Sequence, residues 1–299
     1  MKRKQWIYLI SICVILLVTS ACSNNKVTME HIHGLGYTSD GKQILIPAHD
    51  GLVSYSDGKW ENVDSPKNDY MGFQTVDNGF YSSGHPGPGS TLKNPIGIVK
   101  SSDLGKNLTK LGFESESDFH TMAVGYKTHA IYVINEQQNS KLNSAGLFYS
   151  TDEAKTWTKS AAAGLNEEPT ALAVHPTDEK TIAMGTKSGL LISNDFGNRF
   201  EMLLPGLFIT SVIFEENGEL LIAGANNPNF IKINLTSKEK EEMKLPVLDN
   251  DDAVSYIAQN PKDANEIAVA TFKKDIYLSK DLGLNWTKIA DKGNGISSK

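Results

Sequence analysis

Short apolar runs separated by turn residues recur along most of the chain. In the first of them, Gln43-Ile44-Leu45-Ile46 is followed by a polar step and then by Gly51-Leu52-Val53, after which Lys59-Trp60-Glu61 alternates polar and apolar positions. Short apolar or alternating runs bounded by Gly, Pro, Asn and Asp are typical of β-strands. Beyond residue 22 the chain has no sustained spacing of apolar residues at helical intervals. The pattern predicts an all-β protein.

The predicted strands group into six similar units. Each unit has an apolar or small-residue strand, a polar turn, a returning strand, a third short strand and a fourth strand in which Trp, Thr and Lys recur. The six units span residues 31–61, 70–112, 118–160, 169–203, 208–245 and 253–290. Six units of four strands predict one six-bladed β-propeller, an architecture in which each blade buries its apolar faces against its neighbours.

A turn motif between the third and fourth strands marks the repeat. The form Ser-x-Asp-x-Gly-x-x-Trp/Phe occurs at residues 101–108, 150–157, 193–200 and 279–286, with Ala154 in place of one glycine and Leu108 in place of one aromatic residue. The starting positions are 49, 43 and 86 residues apart, and the doubled interval spans unit five, where Leu235-Thr236-Ser237-Lys238 stands instead. The four aspartates of the motif are Asp103, Asp152, Asp195 and Asp281. Aspartate in a tight turn accepts hydrogen bonds from backbone amides, so we expect these four residues to be structural.

The motif resembles the Asp-box, or bacterial-neuraminidase repeat, of sialidases, sortilin-type receptors, xyloglucanases and photosystem assembly factors. The resemblance covers nearly the whole chain after residue 30 and implies the propeller fold. It also implies that the Asp-box turns lie on the face opposite the usual binding mouth. It does not specify an activity, because one fold hosts many functions, although proteins of this kind are often labelled glycosyl hydrolase-like.

The sequence argues against a sialidase. Sialidases clamp the substrate carboxylate with three arginines, whereas this chain has only Arg3 and Arg199. Another glycoside hydrolase would need two carboxylates at the mouth. No pair stands out among the loop acids Glu30, Asp50, Asp118, Glu167, Glu168, Asp249, Asp251 and Asp252. The sequence therefore favours a binding protein over an enzyme.

The N-terminus has the pattern of a secretory signal. Met1-Lys2-Arg3-Lys4 is basic, the following stretch from Trp6 is apolar, and Thr19-Ser20-Ala21-Cys22 is small and polar. The last four residues resemble a bacterial lipobox, with Thr19 where that motif prefers Leu, Val or Ile. The resemblance implies a signal peptide over residues 1–21 and a diacylglycerol group on Cys22, and hence a lipid anchor on the extracytoplasmic face of a bacterial cell membrane. A plain signal peptide cut nearby is the alternative.

These observations divide the chain. We expect a lipidated tether over residues 22–30, the propeller over residues 31–291 and a flexible Gly/Ser/Lys-rich tail over residues 292–299. Since Cys13 and Cys22 are the two cysteines, the mature chain would have no thiol left for a disulfide or a zinc–cysteine site. The net charge is -6 with the basic signal included, so the propeller is more acidic still. The charge therefore argues against nucleic acid as a partner, and any membrane attachment depends on the lipid.

Histidines are concentrated at one end of the predicted propeller. His31 and His33 precede the inner strand of the first unit and His120 that of the third, while His49 and His85 lie in the loops between second and third strands of units one and two. Met71 aligns with His33 and His120 at the start of the inner strands, and Asp50 and Asp118 lie close to histidines. His129 and His175 fall in turns of the other face, where we expect structural roles.

Neutral imidazoles from several blades can bind a transition metal such as zinc or copper. The sequence thus predicts that five histidines bind a metal or a small polar ligand: His31, His33, His49, His85 and His120. Asp50, Met71 and Asp118 are the expected supporting residues. The alternative is a polar channel that is filled with water and binds no ligand. Two other functions stay open: a glycoside hydrolase using loop carboxylates, and an assembly or receptor module that binds a peptide or a partner protein.

Overall fold

The apolar runs form antiparallel strands in a computed structural model of the protein, which describes residues 27–225 and 229–297. Each of the six sheets follows chain order from the inside outwards. The blade-one strands are β1 (Gly36–Tyr37), β2 (Ile44–Ala48), β3 (Gly51–Ser56) and β4 (Lys59–Asn62). In blade two they are β5 (Asp69–Val76), β6 (Gly79–His85), β7 (Ile98–Ser101) and β8 (Thr109–Gly112). In blade three they are β9 (Met122–Val124), β10 (Ile131–Asn135), β11 (Gly146–Ser150) and β12 (Thr158–Lys159).

The second half repeats this order. Blade four comprises β13 (Ala171–Val174), β14 (Ile182–Gly185), β15 (Gly189–Ser193) and β16 (Glu201–Pro205). Blade five comprises β17 (Ile209–Phe214), β18 (Leu220–Gly224), β19 (Asn229–Ile233) and β20 (Lys240–Met243). Blade six comprises β21 (Val254–Asn260), β22 (Asp263–Thr271), β23 (Ile276–Ser279), β24 (Thr287–Asp291) and β25 (Asn294–Gly295). Each blade's first strand lies beside that of the next, and β21 lies beside β1, so the ring closes. The six-bladed propeller predicted from the sequence is confirmed.

The hydrophobic core lies between the blades. One apolar cluster fills each of the six interfaces; Ile46 and Ala268, for example, lie in the interface of blades one and six, and Tyr81 and Ile131 in that of blades two and three. A blade alone would leave these faces exposed, so stability depends on the closed ring. Within residues 27–225 and 229–297 no helix is long and apolar enough to cross a membrane.

The two chain ends meet on blade six. Met29 N donates to Gly293 O at 2.7 Å and Gly295 N donates to Val27 O at 2.9 Å, and the side chains of Val27 and Met29 are buried. Residues 292–297 therefore do not form the loose tail expected from their composition, and residues 27–29 belong to the propeller. The outer edge of β24 has unpaired backbone groups, and β25 pairs with it. On its other side β25 forms a bridge with the N-terminal segment, between Asn294 and Thr28. The predicted signal peptide and Cys22 lie outside the described residues.

The four Ser-x-Asp turns share one set of hydrogen bonds. In blade four, Asp195 Oδ1 accepts from Ser193 Oγ at 2.8 Å and from Arg199 N at 2.9 Å, and Ser193 Oγ accepts from Gly197 N at 3.0 Å. The other three turns repeat these contacts around Asp103, Asp152 and Asp281. Hydrogen bonds from backbone amides hold the pKa of the Asp103, Asp152 and Asp195 carboxyls below its usual range, that of Asp152 at about 2. For Asp281 the side-chain amide of Asn285 lowers the pKa most, and the backbone amide of Asn285 adds to the effect.

Blade five builds its outer turn with a different residue. Asn234 Oδ1 accepts from both Thr236 N and Ser237 N at 2.9 Å, so an asparagine side chain caps the turn that the motif aspartate caps elsewhere. The missing motif therefore does not interrupt the sheet.

Candidate functional site

The sequence-predicted mouth is formed where the inner strands begin. His33 N donates to Pro47 O at 3.0 Å, and Ile32 forms a bridge with Ala48 at the end of β2. The same edge holds the β2–β3 turn with His49, and across β5 and β6 it pairs Asp69 with His85. Histidines far apart in sequence therefore reach one end of the propeller.

A first histidine group joins blades one and two around Asp69. His49 Nδ1 donates to Asp69 Oδ2 at 3.0 Å, and His33 Nε2 lies 3.4 Å from Asp69 Oδ1. The His31 ring lies 5.9 Å from the rings of both His33 and His49. Asp69 is only 8% exposed, and its Oδ1 accepts no hydrogen bond. We call His33, His49 and Asp69 the first histidine group.

A second histidine group joins blades two and three around Asp118. His85 Nε2 lies 3.0 Å and His120 Nε2 3.4 Å from the same oxygen, Asp118 Oδ2, which is buried and accepts no hydrogen bond. Ser83 Oγ donates to the other oxygen at 3.4 Å and also accepts from Phe119 N at 2.9 Å. We call His85, His120 and Asp118 the second histidine group.

The tautomer of His85 is fixed from outside this group. His85 Nδ1 lies 2.7 Å from Asn94 Oδ1, an amide oxygen that can only accept, so Nδ1 carries the proton. In the neutral ring Nε2 then has a lone pair, and it faces a carboxylate oxygen at 3.0 Å. Two lone pairs at this distance repel unless a proton or a metal ion lies between them. The pair is thus arranged to share a cation.

The central channel receives one imidazole from each group. His33 and His120 line its upper part, a cavity of about 190 Å³, together with Thr170, Thr210, Ser255 and Tyr256. The hydroxyls of Thr170, Thr210 and Ser255 donate to backbone carbonyls. The imidazoles of the channel therefore lie on the side formed by blades one to three.

Burial controls the charge of His33. Burial lowers the pKa of His33 below its usual value; Asp69 opposes this effect, and positive charge on His31, His120 or His49 adds to it. His33 therefore stays neutral at neutral pH, which leaves a ring nitrogen free to bind a metal.

Two supporting residues expected from the sequence do not join these groups. Asp50 is exposed and, within the described residues, forms no hydrogen bond or ion pair with a histidine. The channel is lined by Gly72 and Phe73 rather than by Met71, because β5 shifts its register between Met71 and Gln74. Asp118 does contact two histidines.

The central residue that the sequence analysis missed is Asp69. It lies two residues before Met71, as Asp118 lies two before His120 and His31 two before His33. Residues two apart on a strand share a face, so this column of the repeat alignment was the available signal. The contact of Asn94 with His85 could not be predicted in this way, because Asn94 lies in a long loop of blade two that has no counterpart in the repeat alignment.

The two remaining histidines lie at the opposite end of the strands. His129 contacts Asp77 Oδ1 at 2.8 Å and the Tyr81 hydroxyl at 2.9 Å. His175 Nδ1 accepts from Asp178 N at 3.1 Å, and burial lowers its pKa. Both have the contacts of structural residues.

The described part of the chain contains no group of three or more His, Cys, Asp or Glu side chains already arranged to hold a metal ion. In both histidine groups the imidazole nitrogens contact the carboxylate directly. To bind a metal ion, the histidine and aspartate side chains would therefore have to rotate so that the ion lies between the imidazole nitrogens and the carboxylate oxygens.

The similarity of this chain to known proteins is a similarity of fold. No protein-family model and no curated protein sequence matches the chain. Solved propellers do: the GH74 enzyme of Niastella koreensis is 15% identical with a TM-score of 0.57, and the match covers 88% of this chain and 46% of that one. The GH74 xyloglucanase of Xanthomonas campestris is 13% identical with a TM-score of 0.54 and the same coverage. The chain thus spans about half the length of these enzymes.

A third similar structure is of comparable length. YCF48, solved with a bound D1 peptide, is 13% identical with a TM-score of 0.52, and the match covers 88% of this chain and 82% of that one. At these identities the likeness establishes the propeller fold and no activity.

Proposed function

We propose that this protein is a lipid-anchored, extracytoplasmic β-propeller that binds a divalent transition metal, Zn²⁺ or Cu²⁺, at its histidine-lined mouth. The observation that carries the proposal is the 3.0 Å separation of His85 Nε2 and Asp118 Oδ2. With the Nδ1 proton donated to Asn94 Oδ1, Nε2 of the neutral ring has a lone pair, and the buried carboxylate oxygen that it faces accepts no hydrogen bond. Imidazole and carboxylate suit both ions, and the mature chain as we define it offers no thiolate that would favour Cu⁺.

Asn94 has a defined part in this proposal. By holding the proton on His85 Nδ1 it directs the lone pair of Nε2 towards the metal, as partners of metal-bound histidines commonly do. Ser83 restrains Asp118 in the same way through its hydroxyl.

The test is a titration of the purified mature protein with Zn²⁺ and with Cu²⁺ after treatment with a chelator. The double variant His33→Ala/His120→Ala removes one imidazole from each histidine group, and we expect its metal affinity to fall by at least about a hundredfold. Calorimetry measures the affinity and elemental analysis the metal content.

The matched control is His129→Ala/His175→Ala, which removes two histidines from the other end of the strands and should leave the affinity unchanged. Absence of binding by the parent protein, or equal affinity in the two double variants, would contradict the proposal. In that case the histidines would be a polar lining of the channel, and peptide or partner binding would become the favoured function.

Anchoring through Cys22 is tested separately. Cys22→Ala removes the thiol that would carry the lipid and leaves the propeller unchanged, so we expect the protein to leave the membrane fraction or to stay unprocessed. Fractionation with immunoblotting measures this outcome. An equal membrane-bound share of correctly processed protein in parent and variant would refute the lipid anchor.

Peptide or partner binding is the second candidate. Its support is the solved propeller of similar length that binds a peptide, together with exposed apolar residues such as Phe272, which is 63% exposed in the loop between β22 and β23. A hydrolase has less support, because the two acids at the mouth, Asp69 and Asp118, are each in contact with two imidazoles.

A further inference from the structure

The two histidine groups are related by the repeat of the propeller. His49 directly follows β2 and His85 is the last residue of β6, so both lie where the second strand of a blade ends, in blades one and two. Asp69 is the first residue of β5 and Asp118 lies shortly before β9, so both lie where the inner strands of blades two and three begin. In both groups, therefore, a histidine at the end of a second strand contacts the aspartate of the following blade at 3.0 Å, His49 through Nδ1 and His85 through Nε2. A rotation by one blade relates one pair to the other.

The close contacts of each group also stay within that group. Asp69 keeps Oδ1 and Asp118 keeps Oδ2 without a hydrogen bond, and each has two imidazole nitrogens within 3.4 Å. None of these close contacts joins a side chain of one group to the aspartate of the other. A single ion bound to all four imidazoles would have to draw both aspartates away from their own histidines.

We propose that the mouth holds two separate metal centres, one on each histidine group and each built around its own aspartate. This inference rests on the proposed function and specifies its stoichiometry. The centres differ in their third ligand: His33 comes from the blade preceding that of Asp69, whereas His120 follows Asp118 in the same blade. The two sites should therefore have different affinities.

The centres should also interact. His33 and His120, one from each group, line the same part of the channel. Two dications bound beside them would repel each other, so filling the tighter centre should weaken the other.

The experiment counts bound Zn²⁺ by native mass spectrometry and calorimetry in the parent protein and in Asp69→Asn, Asp118→Asn and the double variant. Asparagine preserves the size of the side chain but removes its charge. We expect two ions in the parent, one in each single variant and none in the double variant. Asp77→Asn, at the other end of β5, is the control and should keep two.

The outcomes separate the inference from the proposed function. One ion in the parent that either single variant abolishes would mean one shared site, which overturns the two-centre inference and keeps metal binding. No ion in the parent would overturn both. If either Asn variant fails to fold, the more exposed His49→Gln and His85→Gln replace them, and each should also lose one ion.

Discussion

Replacing Lys232 by Met is expected to lower the free energy of unfolding by about 3–5 kcal/mol. Lys232 Nζ, from β19, lies 2.8 Å from Glu215 Oε2 and 2.9 Å from Glu219 Oε2. Glu215 is almost fully buried and is tied to blade six by Gln259, whose amide donates to Glu215 Oε1 at 2.7 Å. Without Lys232, two neighbouring carboxylates would remain at the interface of blades five and six with no cation.

The pH dependence should distinguish this cause from lost packing. Hydrogen bonds from Lys232 and Asn234 hold the pKa of Glu219 at about 2, below an unfolded value near 4.3. In the parent this contribution to stability is present above pH ~4.3 and is lost as the pH falls towards 2. In the variant the two carboxylates repel, so acidification from pH 7 to 5 should restore part of the stability as one of them takes up a proton.

Urea unfolding at pH 7 and pH 5 measures both effects. Lys240→Met, on the exposed neighbouring strand, is the control and should change stability by less than about 0.5 kcal/mol. Adding Glu215→Gln to Lys232→Met should recover part of the loss, since it removes one of the two unpaired charges. Equal stability in Lys232→Met and Lys240→Met would show that the ion pairs contribute nothing.

The sequence predicts the propeller well because its signals are local and repeated. The spacing of the Ser-x-Asp turns and the short apolar runs are enough to count blades, even where Asn234 replaces the motif in blade five. The chain ends were less predictable. The segment beginning at Lys292 has the composition of a loose tail, yet β25 pairs with β24 because the edge of that strand is open.

The mouth is predictable only in part because its contacts cross blades. The alignment of inner strands brings the five histidines to one face, but proximity in sequence to a histidine is a poor guide to their acidic partners. Asp50 is adjacent to His49 and points to solvent, whereas Asp69 contacts His49 from twenty residues away. The repeat alignment can mark the positions of Asp69 and Asp118, but the twist and packing of neighbouring blades decide which aspartate meets which imidazole.

Replacing Gly84 by Ala is expected to damage both histidine groups at once. Gly84 has a φ of +124°, which side chains other than hydrogen rarely tolerate, and it lies between Ser83 and His85 and opposite Tyr70 in the register of β5 and β6. A methyl group there would collide with the carbonyl oxygen of Asp69 and would lie 2.9 Å from Met71 N. Relief of the collision must move the strand that carries Asp69, the strand that carries His85, or both.

We therefore expect Gly84→Ala to lose about 2–4 kcal/mol of stability through backbone strain and steric overlap. The Zn²⁺ affinity of both proposed centres should fall by at least about tenfold, because the aspartate of one and a histidine of the other are displaced together. Gly89→Ala is the matched control from the loop that follows β6: its φ is +79° and a methyl group there meets no atom within 4 Å. The control bears only the conformational cost, about 1 kcal/mol, and should bind zinc like the parent. Thermal unfolding and zinc titration of the two variants side by side decide the matter, and equal behaviour of the two would show that the contact of Gly84 with Asp69 does not position the mouth.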